Sequence, residues 1–234
     1  MDKNIQTIYN DFGDLERYQN GVLIETISYL DGKILSKTEY QNDEVIRVSD
    51  YLNEKLCSVS EYKYGEEVRI FHYNNEKLTM MSEYEDGEEI CSSSYDENEK
   101  IFMKTEYENE EEIRNLVYSD GKLTSLIEFK NGEQILNIFY KNNQIIKYRQ
   151  LLNDEILKEV KFDKGELLYI KDYSGNNYQT IVFENKKIIK ISKYKDTDII
   201  DIVKRKNIIN VEVLENRYFT YLNDFVDKYN IENI

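Results

Sequence analysis

The chain of 234 residues has no proline, no tryptophan, one histidine, two cysteines and nine glycines. Without proline it lacks the commonest guard against pairing at an exposed sheet edge, so charged side chains are left to do that work. The single histidine, His72, leaves Ser-His-Asp or Cys-His chemistry one imidazole to use, and no nucleophile motif accompanies it. Cys57 and Cys91 have no histidine or further cysteine nearby to complete a metal site, and are expected as reduced thiols. No phosphate-binding loop, dinucleotide fingerprint or zinc spacing occurs. Lone Asp-Gly pairs such as Asp86-Gly87 lack the alternating carboxylates of a calcium loop. No apolar run approaches the roughly eighteen residues of a membrane span, and the start has no basic, apolar leader; a cytoplasmic protein is expected. No catalytic residue, metal or cofactor is predicted.

What the chain has is a period. An aromatic residue recurs every eleven positions from Tyr18 through Tyr29, Tyr40, Tyr51, Tyr62, Tyr73 and Tyr84 to Tyr95. After one inserted residue the series resumes at Tyr107, Tyr118, Phe129, Tyr140, Leu151, Phe162 and Tyr173. After one deletion it ends at Phe183 and Tyr194. A short fixed period means a repeat protein whose units pack on their neighbours. A turn signal follows many of these aromatics, as in Asn20-Gly21, Asp31-Gly32, Asp120-Gly121 and Asn131-Gly132. Asn-Gly and Asp-Gly suit two-residue hairpin turns, whose central residues both need positive φ. Where Asp43, Glu54, Glu76 or Asn143 replaces the glycine, a looser turn or another type is expected. An apolar residue such as Leu23, Ile34, Val45 or Leu56 restarts each strand. Period-two alternation puts Ile34, Ser36, Thr38 and Tyr40 on one face, with the Tyr rings stacked in rows along the sheet.

The string Tyr-x-Asn/Asp-Gly-x-Leu, in Tyr18–Leu23 and again in Tyr118–Leu123, resembles the bacterial variant of the MORN repeat. The resemblance covers roughly Tyr18 to Lys195. It implies hairpins stacked edge to edge into a long antiparallel sheet. It also implies functions ranging from antitoxin or immunity protein to scaffold or lipid-associated module. The expected architecture is an elongated, all-β, single-sheet antiparallel repeat over 18–195, with an N-terminal cap over 1–17 and strands plus a capping helix over 196–234. Ile5, Ile8 and Phe12 are the candidate cap residues. Strand-like runs appear at Ile199–Val203 and Ile208–Leu214. Helical spacing of Phe219, Leu222, Phe225, Val226 and Tyr229 follows, with Asn216 as the expected N-cap.

Charge is uneven. The formal net charge is −15, and residues 83–112 hold thirteen acidic and two basic side chains. Ten of the acidic ones, Glu83, Glu85, Asp86, Glu88 and Glu89, then Glu106, Glu108, Glu110, Glu111 and Glu112, are grouped around two turns that a meander places on one edge, with Asp96, Glu97 and Glu99 at the turn between them on the other. These ten are the candidate partner-binding residues. Concentrated negative potential steers a basic protein, such as a toxin, nuclease or nucleic-acid-binding enzyme. A solvated surface that keeps the sheet apart from other copies is the competing reading. Direct binding to nucleic acid or an anionic membrane is disfavoured by the same charge. A basic stretch at Lys186, Lys187, Lys190, Lys193, Lys195, Lys204, Arg205 and Lys206 is the exception, a candidate anion patch or one side of a self-association contact with the acidic middle. The expected function is therefore a non-catalytic inhibitor or immunity-type protein, with a scaffold as the alternative.

Overall fold

The computed structural model describes residues 5–175, 177–195, 198–205 and 211–229 and is all-β with one C-terminal helix. The chain forms two compact units, Met1–Glu111 and Glu112–Ile234. The first contains β1 (Ile5–Tyr9), β2 (Leu15–Gln19), β3 (Val22–Leu30), β4 (Lys33–Gln41), β5 (Glu44–Leu52), β6 (Lys55–Lys63), β7 (Glu66–Asn74), β8 (Lys77–Glu85), β9 (Glu88–Tyr95) and β10 (Ile101–Glu108). The second contains β11 (Glu111–Ser119), β12 (Lys122–Lys130), β13 (Glu133–Lys141), β14 (Gln144–Leu152), β15 (Glu155–Asp163), β16 (Glu166–Ser174), β17 (Asn177–Glu184), β18 (Lys187–Lys195), β19 (Asp198–Lys204) and α1 (Val211–Lys228). Within each unit, consecutive strands pair antiparallel.

The turns explain the period. Most strands have nine residues and most turns two, which together make eleven. In Asp31-Gly32 both residues have positive φ, 51° and 75°, as a type I′ turn requires. The glycine-free turns were expected to be looser, and they are not. Asn53 and Glu54 have φ of 52° and 65°, and Asn42-Asp43, Asn75-Glu76 and Asn142-Asn143 match them. The strand twist favours the primed turn strongly enough to hold Glu or Asp in the left-handed region, at a cost of about 1–2 kcal/mol per residue. The inserted residue after Tyr95 belongs to a five-residue loop, Asp96–Lys100. Its Asp96 carboxylate accepts backbone N–H bonds from Asn98 (2.8 Å) and Lys100 (2.9 Å).

Each type I′ hairpin also carries a β-bulge. Ser28 opposes Ser36, but Tyr29 opposes Ile34, so Leu35 is the extra residue. This corrects the expected face pattern. Ile34 shares a face with Tyr29, Ile27 and Lys37, while Ser36, Thr38 and Tyr40 lie on the other. The repeated contact is thus the cross-strand pair Tyr29–Ile34, Tyr40–Val45, Tyr51–Leu56 or Tyr73–Leu78. The pairing of β16 with β17 has no bulge, and there the period loses its residue.

Aromatics of the series alternate between faces, so same-face rings lie two strands, about 10 Å, apart. Rows of stacked rings therefore do not form in the first unit. Stacking occurs where an additional tyrosine fills the gap: Tyr178 lies 5.5 Å from Tyr173 and 4.3 Å from Tyr194 between ring centres.

In the second unit α1 covers one face. Beneath it a row of directly opposed residues, Leu116, Leu126, Ile138, Tyr148, Val160, Ile170 and Ile181, is buried. Leu214, Tyr218, Leu222, Phe225 and Tyr229 form the facing helical stripe. The Phe225 ring stacks on Tyr148 at 4.0 Å, and Phe183 meets Phe219 edge-on at 5.7 Å. Tyr140 Oη donates to the Tyr229 carbonyl at 3.0 Å, and Tyr229 Oη donates to Glu128 at 2.8 Å. Burial pushes the Tyr140 and Tyr148 phenols well above their usual range.

The helix starts earlier than expected. Val211–Leu214 is helical, Asn216 lies inside α1 and is no cap, and residues 206–210 lie outside the described set. The β-branched residues suggested a strand, but tertiary anchoring overrides that propensity. Glu215 accepts from the Ile188 N–H at 2.6 Å and from the Arg205 guanidinium, pinning the first turns of the helix to the sheet. At the other terminus β1 pairs with β2 as a further hairpin, and Ile5, Ile8 and Phe12 are exposed there.

Candidate protein-binding surface

Because β2 to β10 form a meander, alternate turns share one end of the first unit's sheet. One end carries the turns Asn20-Gly21, Asn42-Asp43, Tyr64-Gly65, Asp86-Gly87 and Asn109-Glu110. The other carries Asp31-Gly32, Asn53-Glu54, Asn75-Glu76 and the Asp96–Lys100 loop. The residue following the turn is Val22 after Asn20-Gly21 and then Glu44, Glu66, Glu88 or Glu111 at the first end, and Lys33, Lys55 or Lys77 at the second, where Lys100 closes the longer loop.

The lysine end is laced. Lys55 Nζ donates to Asn75 Oδ1 (3.3 Å), Lys77 Nζ to the Glu97 carbonyl (2.7 Å), and the Leu78 N–H to the Glu99 carboxylate (3.0 Å). Each bond joins one turn to the next turn on that end. At the glutamate end no described hydrogen bond does this. Eleven carboxylates stand there at or within two residues of a turn: Asp43, Glu44, Glu66, Glu67, Glu85, Asp86, Glu88, Glu89, Glu108, Glu110 and Glu111. Against them stands, among the described residues, one ammonium, Lys63, 5.4 Å from the centre of the Tyr64 ring.

The ten sequence-derived candidates divide in this setting. Glu85, Asp86, Glu88, Glu108, Glu110 and Glu111 are exposed at the acidic end. Glu89 is half-buried opposite Tyr84, and together with burial its charge raises that phenol's pKa. Glu83 pairs with Arg69 at 3.3 Å and Glu106 with Lys104 at 3.5 Å, so both belong to ion pairs on the sheet. The Glu83–Arg69 pair extends a cross-strand ladder that includes Arg17–Glu25 (2.6 Å), Lys37–Glu25 (2.6 Å) and Arg69–Glu61 (3.5 Å), while Glu106 and Lys104 pair along β10. Glu112 opens the second unit, where it accepts a hydrogen bond from Asn115. Sequence reading missed Asp43, Glu44, Glu66 and Glu67. They lie one and two hairpins before the recognised clusters, and the signal that finds them is the alternation of Lys and Glu after successive turns.

The basic stretch near the C-terminus does not form one patch among the described residues. Arg205 is paired with Glu215, and Lys193 with Asp201 at 3.8 Å. Lys190 stands directly opposite Lys204. His72 lies in β7 between Ser58 and Met80, with its carbonyl accepting from Thr79 Oγ1 at 3.0 Å. Both cysteines are free, and burial raises the Cys91 thiol pKa. Among the described residues no group of three His, Cys, Asp or Glu is arranged to hold a metal, and no helix is long and apolar enough to cross a membrane.

No family model matches the sequence, and no curated protein does. Among solved structures, a GtfA/B complex bound to UDP and GlcNAc matches 53% of this chain at 11% identity with a TM-score of 0.32. A point mutant of S. aureus TarM in complex with Fondaparinux, alpha-GlcNAc-glycerol and UDP matches 57% at 12% identity with a TM-score of 0.23. A TcdB2-TccC3 structure matches 82% at 11% identity with a TM-score of 0.24. The chain spans 25%, 21% and 14% of those chains, respectively. Likeness at this level carries no functional argument.

Proposed function

We propose that this protein is a non-catalytic binding protein whose acidic sheet end engages a basic protein surface, in the manner of an inhibitor or immunity-type antitoxin that masks the basic cleft of a toxin or nuclease. The observation that carries this reading is the asymmetry of the two ends of the first unit. Both ends have hairpin turns and solvent exposure, so a surface built only for solubility has no reason to differ between them. One end mixes carboxylates with lysines that lace it together. The other concentrates eleven carboxylates around Lys63. Such a segregated field accelerates encounter with a cationic partner and rejects anionic ones. The resemblance of the hairpin repeat to MORN-type antitoxins supports the same direction.

The test is a pull-down from the native host, followed by binding and activity assays on the recovered protein. Wild type is compared with a chain carrying Glu85→Lys, Glu88→Lys, Glu108→Lys and Glu111→Lys, all at exposed positions that tolerate substitution. The expected partner is basic, loses activity on binding, and binds the reversed chain at least tenfold more weakly. Affinity should also fall as salt rises, because exposed charges are screened beyond about 8–10 Å at physiological ionic strength. An affinity indifferent to both salt and the four reversals would sink the reading.

A further inference from the structure

An open groove lies beside the acidic end of the first unit, lined by Tyr40, Val45, Val48, Tyr62 and Tyr64 among others. Tyr40 opposes Val45 and Tyr62 opposes Glu67, with Val48 farther along the same face. Tyr40 and Tyr62 are on strands two apart, so about 10 Å of sheet separates their backbones. Tyr64 stands above them in the β6–β7 turn and is 83% exposed.

Tyr64 departs from the pattern of its own repeat. The first position of the other two-residue turns in this unit is Asn20, Asp31, Asn42, Asn53, Asn75, Asp86 or Asn109. Asn and Asp tolerate the left-handed conformation because their short polar groups bond locally, whereas an aromatic residue has no such compensation. Tyr64 nevertheless adopts φ of 54°, and its ring is left in water. The one cation at this end among the described residues, Lys63, sits over that ring. The chain thus shows on itself what the ring attracts.

We infer that this groove is the anchor point for an arginine side chain of the basic partner. The guanidinium would lie against the faces of Tyr62 and Tyr64, displace Lys63, and meet the Glu67 carboxylate opposite Tyr62. A planar, weakly hydrated cation stacks on aromatic faces and pairs with carboxylates in a way that an ammonium does not. Burial, followed by the charge of Glu67, raises the Tyr62 phenol pKa, so its ring stays neutral. A tyrosine pair that becomes desolvated against arginine on binding is the chemistry of interface hot spots, and the surrounding carboxylates supply steering rather than the anchor. This inference rests on the basic-partner reading above.

The test uses defined peptides in place of the unidentified partner. (Arg-Gly)4, its citrulline counterpart and (Lys-Gly)4 are titrated into the full chain, with binding followed by calorimetry. The diagnostic variant is Tyr64→Asn. It installs the residue type common at this turn position, so the turn keeps or gains stability and any loss of binding belongs to the ring. The expected result is that (Arg-Gly)4 binds at least fivefold tighter than (Lys-Gly)4, that the citrulline peptide does not bind, and that Tyr64→Asn lowers (Arg-Gly)4 affinity at least fivefold. Tyr64→Phe should stay within twofold of wild type. Equal binding of the Arg and Lys peptides, or no effect of Tyr64→Asn while the four Glu→Lys reversals still abolish binding, overturns the groove and leaves the acidic-end reading standing. If neither cationic peptide binds at millimolar concentration, both readings fall.

Discussion

The same row of the sheet is built in two ways. In the first unit directly opposed residues run Ile27, Lys37, Ser49, Val59, Phe71, Met81, Ser93 and Lys104. At the corresponding places in the second unit they run Leu116, Leu126, Ile138, Tyr148, Val160, Ile170, Ile181 and Ile191. Each occupies the same offset from the repeat's aromatic residue as its counterpart. Only the second row is continuously apolar, and only the second lies under the helix stripe. The hairpin repeat itself therefore does not need an apolar row. Its backbone ladder, primed turns and cross-strand pairs form without one, and the helix converts the repeat into a core. Where no helix lies on the sheet, its middle is free to be Ser, Lys and charged pairs, and the segregated acidic end belongs to that unit.

The comparison can be broken most forcefully at Phe225. Removing its ring leaves a cavity against Tyr148, so Phe225→Ala should cost the second unit about 3–5 kcal/mol. Amide exchange should show β13 to β16 losing protection while β3 to β7 keep theirs. Equal loss in both units would mean that the first unit also depends on the helix. Next comes Tyr62→Ala. Its side chain is half-buried rather than enclosed, so the expected cost by urea titration is smaller, about 1–2 kcal/mol, and should be felt in the first unit.

Acid should act on both units, since hydrogen bonds also hold Glu16 and Asp96 of the first below their ordinary range. The buried carboxyls so held, Glu159 and Glu215, are in the second. The Arg205 hydrogen bond holds the Glu215 carboxyl below its ordinary range. Burial opposes ionisation of Glu159, but hydrogen bonds from Arg149 and Tyr169 outweigh it and lower that pKa as well. A folded pKa below the unfolded value gives stability that is present above about pH 4.3 and is lost as pH falls through the folded value. Thermal melts from pH 6 to pH 3 should therefore show the second unit losing stability below about pH 4.3, and Glu215→Gln should flatten that part of the profile. The smallest effect is expected at a turn. Glu54→Gly relieves a left-handed Glu and should stabilise the first unit by about 0.5–1 kcal/mol, the gain being limited by the added freedom of the unfolded chain. No gain would show that the strands alone hold the primed turn without strain.

The period was legible because an aromatic residue and a turn recur in every strand, and both irregularities in it have a physical source, a longer loop at Asp96–Lys100 and a missing bulge between β16 and β17. The bulges themselves were not legible. They exchange faces in mid-strand, so the alternation read through Ile34 and Ser36 placed them together when the chain separates them. The continuous apolar row was hidden for the same reason, since it falls two residues before some aromatics and three before others. At the candidate site the dense clusters around Asp86 and Glu110 were visible as composition. Glu44 and Glu66 were not, because their neighbours on the sheet edge are about two strands away in sequence. The Arg69–Glu83 pair was likewise invisible, since only the register brings those residues together.

The alternation of ends also sets how such a chain can change length. One strand with its turn reverses both the face of its aromatic residue and the end at which its turn lies. Duplicating a single strand would carry every later glutamate turn to the lysine end and break the lacing between Lys55 and Asn75 or Lys77 and Glu97. Duplicating or deleting two strands together leaves every charge where it was. The unit of growth is therefore the hairpin pair, and a family of such proteins can vary its reach along a target in steps of about 10 Å, two strand spacings, while the charge of each edge is preserved.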